Sequence, residues 1–264
     1  MTYFAFLAVF LGSPLLVLSI VTIVDYVRGQ WMPRAFDAIS PWIVMLGLCV
    51  VAFLYTTPWD NYLVATGVWW YDPLLVNGLI IGYVPIEEYI FFLLQPIMTA
   101  LFTLLLMRYI PLDPLQAEDD VARRIMTAIT AVIWLVSVVL LGISLVSQAF
   151  KPVTYFSLEL AWALIPVLIQ VLFGGDILLR HARIVVPAIL LTTIYLSVAD
   201  MVAIGAGTWA IDPAQSLGIY LGVLPIEEFV FFLLTNTLVV FGLTLVLAEE
   251  SQFRAKNLRR RLMR

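Results

Sequence analysis

The chain has 264 residues, of which 63% are hydrophobic and only 12% are charged. Soluble domains are nearer half apolar and a quarter charged, so a mean hydropathy of +1.04 excludes a mainly water-soluble protein. A single cysteine, Cys49, excludes a disulfide framework and a cysteine metal site, and the net charge of −4 is less informative than where the charges lie.

A helix needs about 20 apolar residues to cross the hydrocarbon core. Seven segments qualify, at 3–24, 40–55, 85–107, 125–146, 155–173, 184–204 and 224–247. The first lacks a basic n-region and reads as a span rather than a cleaved signal peptide. The second is short. The apolar stretch 74–84 either prolongs the third helix or forms a re-entrant piece, and 216–223 does the same before the seventh. Arg28, Arg34, Arg108, Arg123, Arg124, Arg180, Arg183 and the basic tail fall in odd-numbered loops; of the 14 Lys and Arg only Lys151 lies opposite. The positive-inside rule then puts the N-terminus outside and the C-terminus in the cytoplasm.

The chain repeats itself. The run from Trp69 through Asp72-Pro73 to Val84-Pro85-Ile86-Glu87-Glu88 and Phe91-Phe92 recurs 140 residues later. There it runs from Trp209 through Asp212-Pro213 to Leu224-Pro225-Ile226-Glu227-Glu228 and Phe231-Phe232. Thr2-Tyr3-Phe4 and Pro14 recur as Thr154-Tyr155-Phe156 and Pro166 at an offset of 152, the first copy having a longer loop around 25–40. Each unit holds three spans and the fourth span is a linker. An odd unit plus one linker restores the orientation, so the repeats are parallel, related by an axis along the membrane normal. The expected fold is all-α and polytopic. Its divisions are a first three-helix repeat (1–112), a linker with the fourth helix (113–152), a second repeat (153–250) and a basic tail (251–264).

Adjacent carboxyls in apolar sequence do nothing for packing, and ionisable groups inside membrane segments are functional candidates by default. Proline suits a helix start, so Pro85 and Pro225 place Glu87, Glu88, Glu227 and Glu228 in first turns. The positive end of the helix dipole favours acids there. That alone would explain one exposed pair; it does not explain two pairs, each followed by aromatics at helical spacing. Glu88, Phe91, Phe92 and Gln95 share a face, as do Glu228, Phe231, Phe232 and Thr235. Consecutive residues lie about 100° apart on a helix, so one acid of each pair can do proton chemistry while the other holds a structural partner. An acid beside aromatic faces suits cationic chemistry, in which Trp69, Trp209, Phe91, Phe92, Phe231 and Phe232 stabilise a carbocation. An interfacial belt explains Trp and Tyr at span ends as well, above all Trp70 and Tyr71. Asp60 and Asp200 end their spans and could orient a Glu.

No Gly-x-Gly-x-x-Gly follows a strand, so a flavin or nicotinamide site is not expected. The only histidine, His181, reads as solvated in a basic loop, and no metal site is expected. The tail from Arg254 to Arg264 reads as lying on anionic headgroups or as a plain stop signal.

Thr57-Pro58-Trp59-Asp60, Trp69-x-Tyr71, Val84-Pro-Ile-Glu-Glu, Phe91-Phe-Leu-Leu-Gln95 and Phe231-Phe-Leu-Leu-Thr-Asn236 resemble the membrane-embedded lycopene cyclases. The resemblance covers nearly the whole chain. The second copy departs from it where Ser197-Val198-Ala199 replaces Thr57-Pro58-Trp59 and Ala210-Ile211 replaces Trp70-Tyr71. The family is built from two three-span units, separate or fused. It implies a lycopene β-cyclase of carotenoid biosynthesis, closing β-ionone rings by acid catalysis with no net redox and no cofactor. Its implied partners are a lipophilic carotenoid and the bilayer, with no nucleic acid. Glu87, Glu88, Glu227 and Glu228 are then the acid and base set. A cyclase of C50 carotenoids or an ε-ring former would use the same residues; a small transporter or a pigment-binding protein are readings of another class.

Overall fold

The computed structural model describes residues 1–37, 39–111 and 119–263. Among them seven helices are long and apolar enough to cross a membrane. They are α1 (Tyr3–Val27, with a π-helical turn at Leu7–Gly12), α2 (Pro41–Ala65), α3 (Ile86–Tyr109), α4 (Asp120–Val146), α5 (Thr154–Arg180), α6 (Ala182–Gly205) and α7 (Ile226–Leu247). A shorter α8 (Glu249–Leu262) follows. Six short strands lie at one end of the bundle: β1 (Trp69–Tyr71), β2 (Ile80–Ile81), β3 (Val84–Pro85), β4 (Trp209–Ile211), β5 (Tyr220–Leu221) and β6 (Leu224–Pro225). The expected unit boundary at 112/113 and the terminal Arg264 lie outside the described residues.

Helices α3, α6 and α7 are the most buried, and α4 stands at the periphery against α5. Leu46, Ile133 and Ile169 face outward. In water each would cost on the order of 1 kcal/mol or more; against lipid tails the cost vanishes.

The second helix is longer than expected. It runs through Pro58 to Ala65 and so carries Trp59 and Asp60 within it. Proline removes a backbone donor, and neighbouring side chains can bind the carbonyls of that turn. Here Thr57 donates to the Phe53 carbonyl at 2.7 Å and Asn61 donates to the Thr57 carbonyl at 2.9 Å. The stretches 74–84 and 216–223 do not prolong helices. Each enters a hairpin, β2 with β3 and β5 with β6. Gly82 turns the first hairpin at φ +67, and a Cβ there would meet Asn61 Oδ1 at 2.2 Å. That oxygen accepts the Tyr83 N–H at 2.8 Å.

The halves lock together through β1 and β4, which pair antiparallel with Trp70 opposite Ala210. Around them four backbone hydrogen bonds form two matched pairs. Asp72 N–H donates to Thr208 O and Asp212 N–H to Val68 O; Tyr3 N–H donates to Leu75 O and Tyr155 N–H to Gln215 O.

At the opposite end α8 docks by buried charge. Arg254 donates to both Asp176 oxygens at 2.7 and 2.6 Å and to the Phe173 carbonyl at 2.7 Å. This corrects the expectation that Arg254 lies on headgroups; Lys256, Arg259 and Arg260 do stay exposed. His181 is likewise not solvated. It is buried against Phe36, with Nε2 3.4 Å from Glu250. A lone basic histidine in a loop gave no sign of the acid that α8 returns to it.

Partial burial disfavours charge on Glu250, but His181, a backbone N–H and Arg180 favour it more and hold the carboxyl at about 2. That lies below the ordinary value of 4.5, so the charge stabilises the docked α8 above pH 4.5 and the contribution is lost as pH falls through about 2. Amide hydrogen exchange of α8 in detergent, normalised to the intrinsic rate at each pH, is expected to be slow near neutral pH and to speed up towards pH 2. Glu250→Gln is expected to speed it at neutral pH.

Candidate active site

Pro85 and Pro225 directly precede α3 and α7, and both Glu pairs occupy the first turns. Within each pair the two acids turn different ways. Glu87 accepts the Asn77 N–H at 2.6 Å. Glu227 accepts the Leu217 N–H at 2.6 Å and the Ser216 hydroxyl at 3.1 Å. These two tie each connecting loop to the helix it leads into. Glu88 and Glu228 turn inward and line one cavity between the halves.

Phenols hold the inward acids. Glu88 Oε2 accepts from the hydroxyls of Tyr3 and of Tyr71, the latter at 3.0 Å. Glu228 Oε1 accepts from Tyr155 at 2.7 Å. Tyr3 and Tyr155 are counterparts in the repeat, each from the first helix of its unit. Burial first, then the nearby Asp60 and Glu88, push the Tyr71 phenol well above its ordinary value; it remains a donor at any physiological pH.

Aromatic faces complete the wall. Trp209 packs on Tyr3 and Phe6 with ring centroids 4.9 and 5.0 Å apart. Phe231 and Phe232 meet edge to face at 5.4 Å, and Phe91 approaches Phe232 at 6.4 Å. Trp69 stands in the same wall. Phe92 and Gln95 do not line this cavity, against the expectation that one helix face would be shared. They line an adjoining groove. Gln95 there donates to Asn236 at 2.7 Å. A face of α3 spanning almost two turns is long enough to serve both spaces.

Two aspartates stand behind the cavity. Asp200 is buried, accepts the Trp209 indole N–H at 2.8 Å, and faces Glu228. Asp60 is fully buried, within electrostatic reach of Glu88 and Glu228, and neither oxygen meets a donor among the described residues. An uncompensated buried ion costs several kcal/mol, and nothing in the packing returns that cost.

Sequence reasoning missed several members. Tyr3 and Tyr155 served only as markers of the repeat; their recurrence in phase with the Glu pairs was the available signal. Glu159 is fully buried beside Tyr155 and within electrostatic reach of Glu228, with no counterpart acid in the first half, where Leu7 stands. As an acid inside a span it met the rule applied to the Glu pairs. Trp162, on the linker-proximal helix α5, stacks on Trp59 at 4.3 Å; no sequence pattern marks it.

Comparisons with known proteins agree with this geometry. The lycopene cyclase family model matches residues 1–106 and 152–246, both halves and not the fourth helix. A lycopene beta-cyclase of Halobacterium salinarum is 35% identical over 248 residues, covering 92% of this chain and 95% of that protein. A bifunctional lycopene cyclase/phytoene synthase of Podospora anserina is 39% identical over 201 residues, 74% of this chain but 34% of the longer relative. The similarly named protein of Phycomyces blakesleeanus is 36% identical over 198 residues, 74% of this chain and 32% of that one. No solved structure matches. The doubled Glu pairs, the cavity they share and these matches together make the chain a member of the lycopene cyclase family.

Proposed function

We propose that this chain is a lycopene β-cyclase that closes the linear ends of lycopene to β-ionone rings, giving β-carotene by way of the monocyclic γ-carotene. The observation that carries the reading is the meeting of Glu88 and Glu228 in one aromatic-walled cavity at an end of an apolar bundle. A carboxylic acid there gives its proton to C2 of the terminal double bond. The cation left at C1 is attacked by the C5–C6 double bond, forming the C1–C6 bond and moving the charge to C5. A facing carboxylate removes the C6 proton, which leaves the C5–C6 double bond of the β-ring. One proton enters and one leaves, so the step is an isomerisation with no electron transfer.

The residues divide the work. Glu88 and Glu228 are the acid and base pair, positioned by Tyr3, Tyr71 and Tyr155. Phe91, Phe231, Phe232, Trp69 and Trp209 present π faces to the cation, an attraction of about 2 kcal/mol or more when desolvated. Water would quench such a cation, and the apolar lining limits its access. Asp60, Asp200 and Glu159 keep further proton sites beside the pair. Glu87 and Glu227 hold the loops that roof the cavity. The charge distribution supports a cavity at the outer end of the bundle, with the C-terminus in the cytoplasm.

Expression in lycopene-accumulating bacteria, followed by pigment extraction and chromatography, tests the reading. β-Carotene is expected from the chain alone; unchanged lycopene with the protein present in the membrane would refute it. Glu88→Gln and Glu228→Gln are each expected to lose on the order of a hundredfold or more of the cyclic product, with insertion intact. Glu87→Gln and Glu227→Gln keep an oxygen for the loop N–H groups. They are expected to retain most activity, and equal loss in all four variants would contradict the division of each pair.

A further inference from the structure

Two apolar grooves run along the bundle towards lipid. The first lies between α2 and α5 over α3 and α7 and has Val51, Tyr55, Trp162 and Gln170 in its sides. The second lies between α1 and α6 against α3 and has Pro14, Leu18, Met98, Leu191 and Tyr195 in its walls. The repeat makes them the same feature of the two halves. Pro14 corresponds to Pro166, Leu18 to Gln170, Leu191 to Val51 and Tyr195 to Tyr55. Even their bridging hydrogen bonds correspond. Tyr55 donates to the Trp162 carbonyl at 2.8 Å and Tyr195 to the Phe10 carbonyl at 3.0 Å.

The grooves differ in what they reach. Phe91 and Phe231 line both the first groove and the acid cavity; no residue of the second groove lines that cavity. A ladder of parallel rings also leads from the first groove to the acids. Tyr55 stacks on Trp162 at 5.3 Å, Trp162 on Trp59 at 4.3 Å, and Trp59 on Phe231 at 5.6 Å. In the other half Phe10 and Ala199 stand at the positions of Trp162 and Trp59, and no such ladder forms. Leu196, fully buried, stands where the first groove has Thr56. Connection to the acid cavity separates the two.

We infer that the first groove is the single arm that receives the polyene chain, and that both ends of the substrate enter the acid cavity through it in turn. This rests on the cyclase reading above. The occupant follows from chemistry: a mainly apolar space, flanked by stacked aromatic faces and continuous with a proton donor, fits a conjugated hydrocarbon whose end reacts. From Phe231 to Val239 the groove follows α7 for eight residues, roughly 12 Å. That is shorter than the whole substrate, so the far end stays in lipid, past Val51, which is 61% exposed. One arm has one kinetic consequence. After the first ring closes, the monocyclic product withdraws and returns with its other end foremost.

The matched pair Val51→Trp and Leu191→Trp tests this, because the two positions correspond and both are exposed, at 61% and 52%. They are compared with wild type in lycopene-accumulating bacteria, with membrane protein levels fixed by immunoblot. Val51→Trp is expected to lose roughly a hundredfold of all cyclic product, monocyclic included, as misplacement of a reacting end does; Leu191→Trp is expected to match wild type. Ala52→Trp obstructs the same groove nearer its floor and should repeat the loss. Wild-type output from both Val51→Trp and Ala52→Trp, equal loss in Leu191→Trp, or accumulation of monocyclic carotenoid in only one of the pair would overturn the single arm while leaving the cyclase reading intact. A wild-type chain that makes no ring would overturn that reading and the inference with it.

Discussion

Glu88 and Glu228 are buried, and a buried carboxyl without donors costs several kcal/mol. The arrangement of the site's end of the molecule answers that constraint. Tyr3 and Tyr155 enter from the first helix of each unit, and their backbone N–H groups are pinned to the Leu75 and Gln215 carbonyls. The β1–β4 pairing fixes those loops to each other, and Glu87 and Glu227 fix them to the helices that carry the inward acids. A small polar frame thus sets the position of two acids, and the helices beneath it supply an apolar shell with lipid outside.

Duplication brought two equivalent acids to one cavity, and divergence then made the surroundings unequal. Trp59 corresponds to Ala199 in the repeat, Tyr71 to Ile211, and Glu159 to Leu7. The first half therefore gives Glu88 two phenols and puts Trp59 into the aromatic ladder, while the second gives Glu228 one phenol and an extra acid. Such differences suit a reaction that needs an acid and a base at once rather than the same group twice.

Much of this was legible in the chain itself. Hydropathy alone locates seven spans, because hydrocarbon tolerates no unsatisfied backbone and so forces long apolar helices. The repeat brings the Glu pairs to one level, and the proline before each pair marks the helix start. What the sequence hid has physical reasons. The second span, expected at 40–55, runs on through Pro58 because the side chains of Thr57 and Asn61 bind carbonyls around it, a support visible only in three dimensions. Arg254 and His181 looked solvated because their acids, Asp176 and Glu250, come from other helices. The loops before α3 and α7 are apolar without being helical, since Glu87, Glu227 and Asn61 satisfy their backbone.

The central claim is that one cavity needs both inward acids from the same chain. Co-expression of a Glu88→Gln chain with a Glu228→Gln chain in lycopene-accumulating cells tests it directly. The account predicts lycopene unchanged, because every cavity lacks one partner. Restored β-carotene would contradict it, showing that each half works with its own acid and that the two carboxyls do not act as a pair.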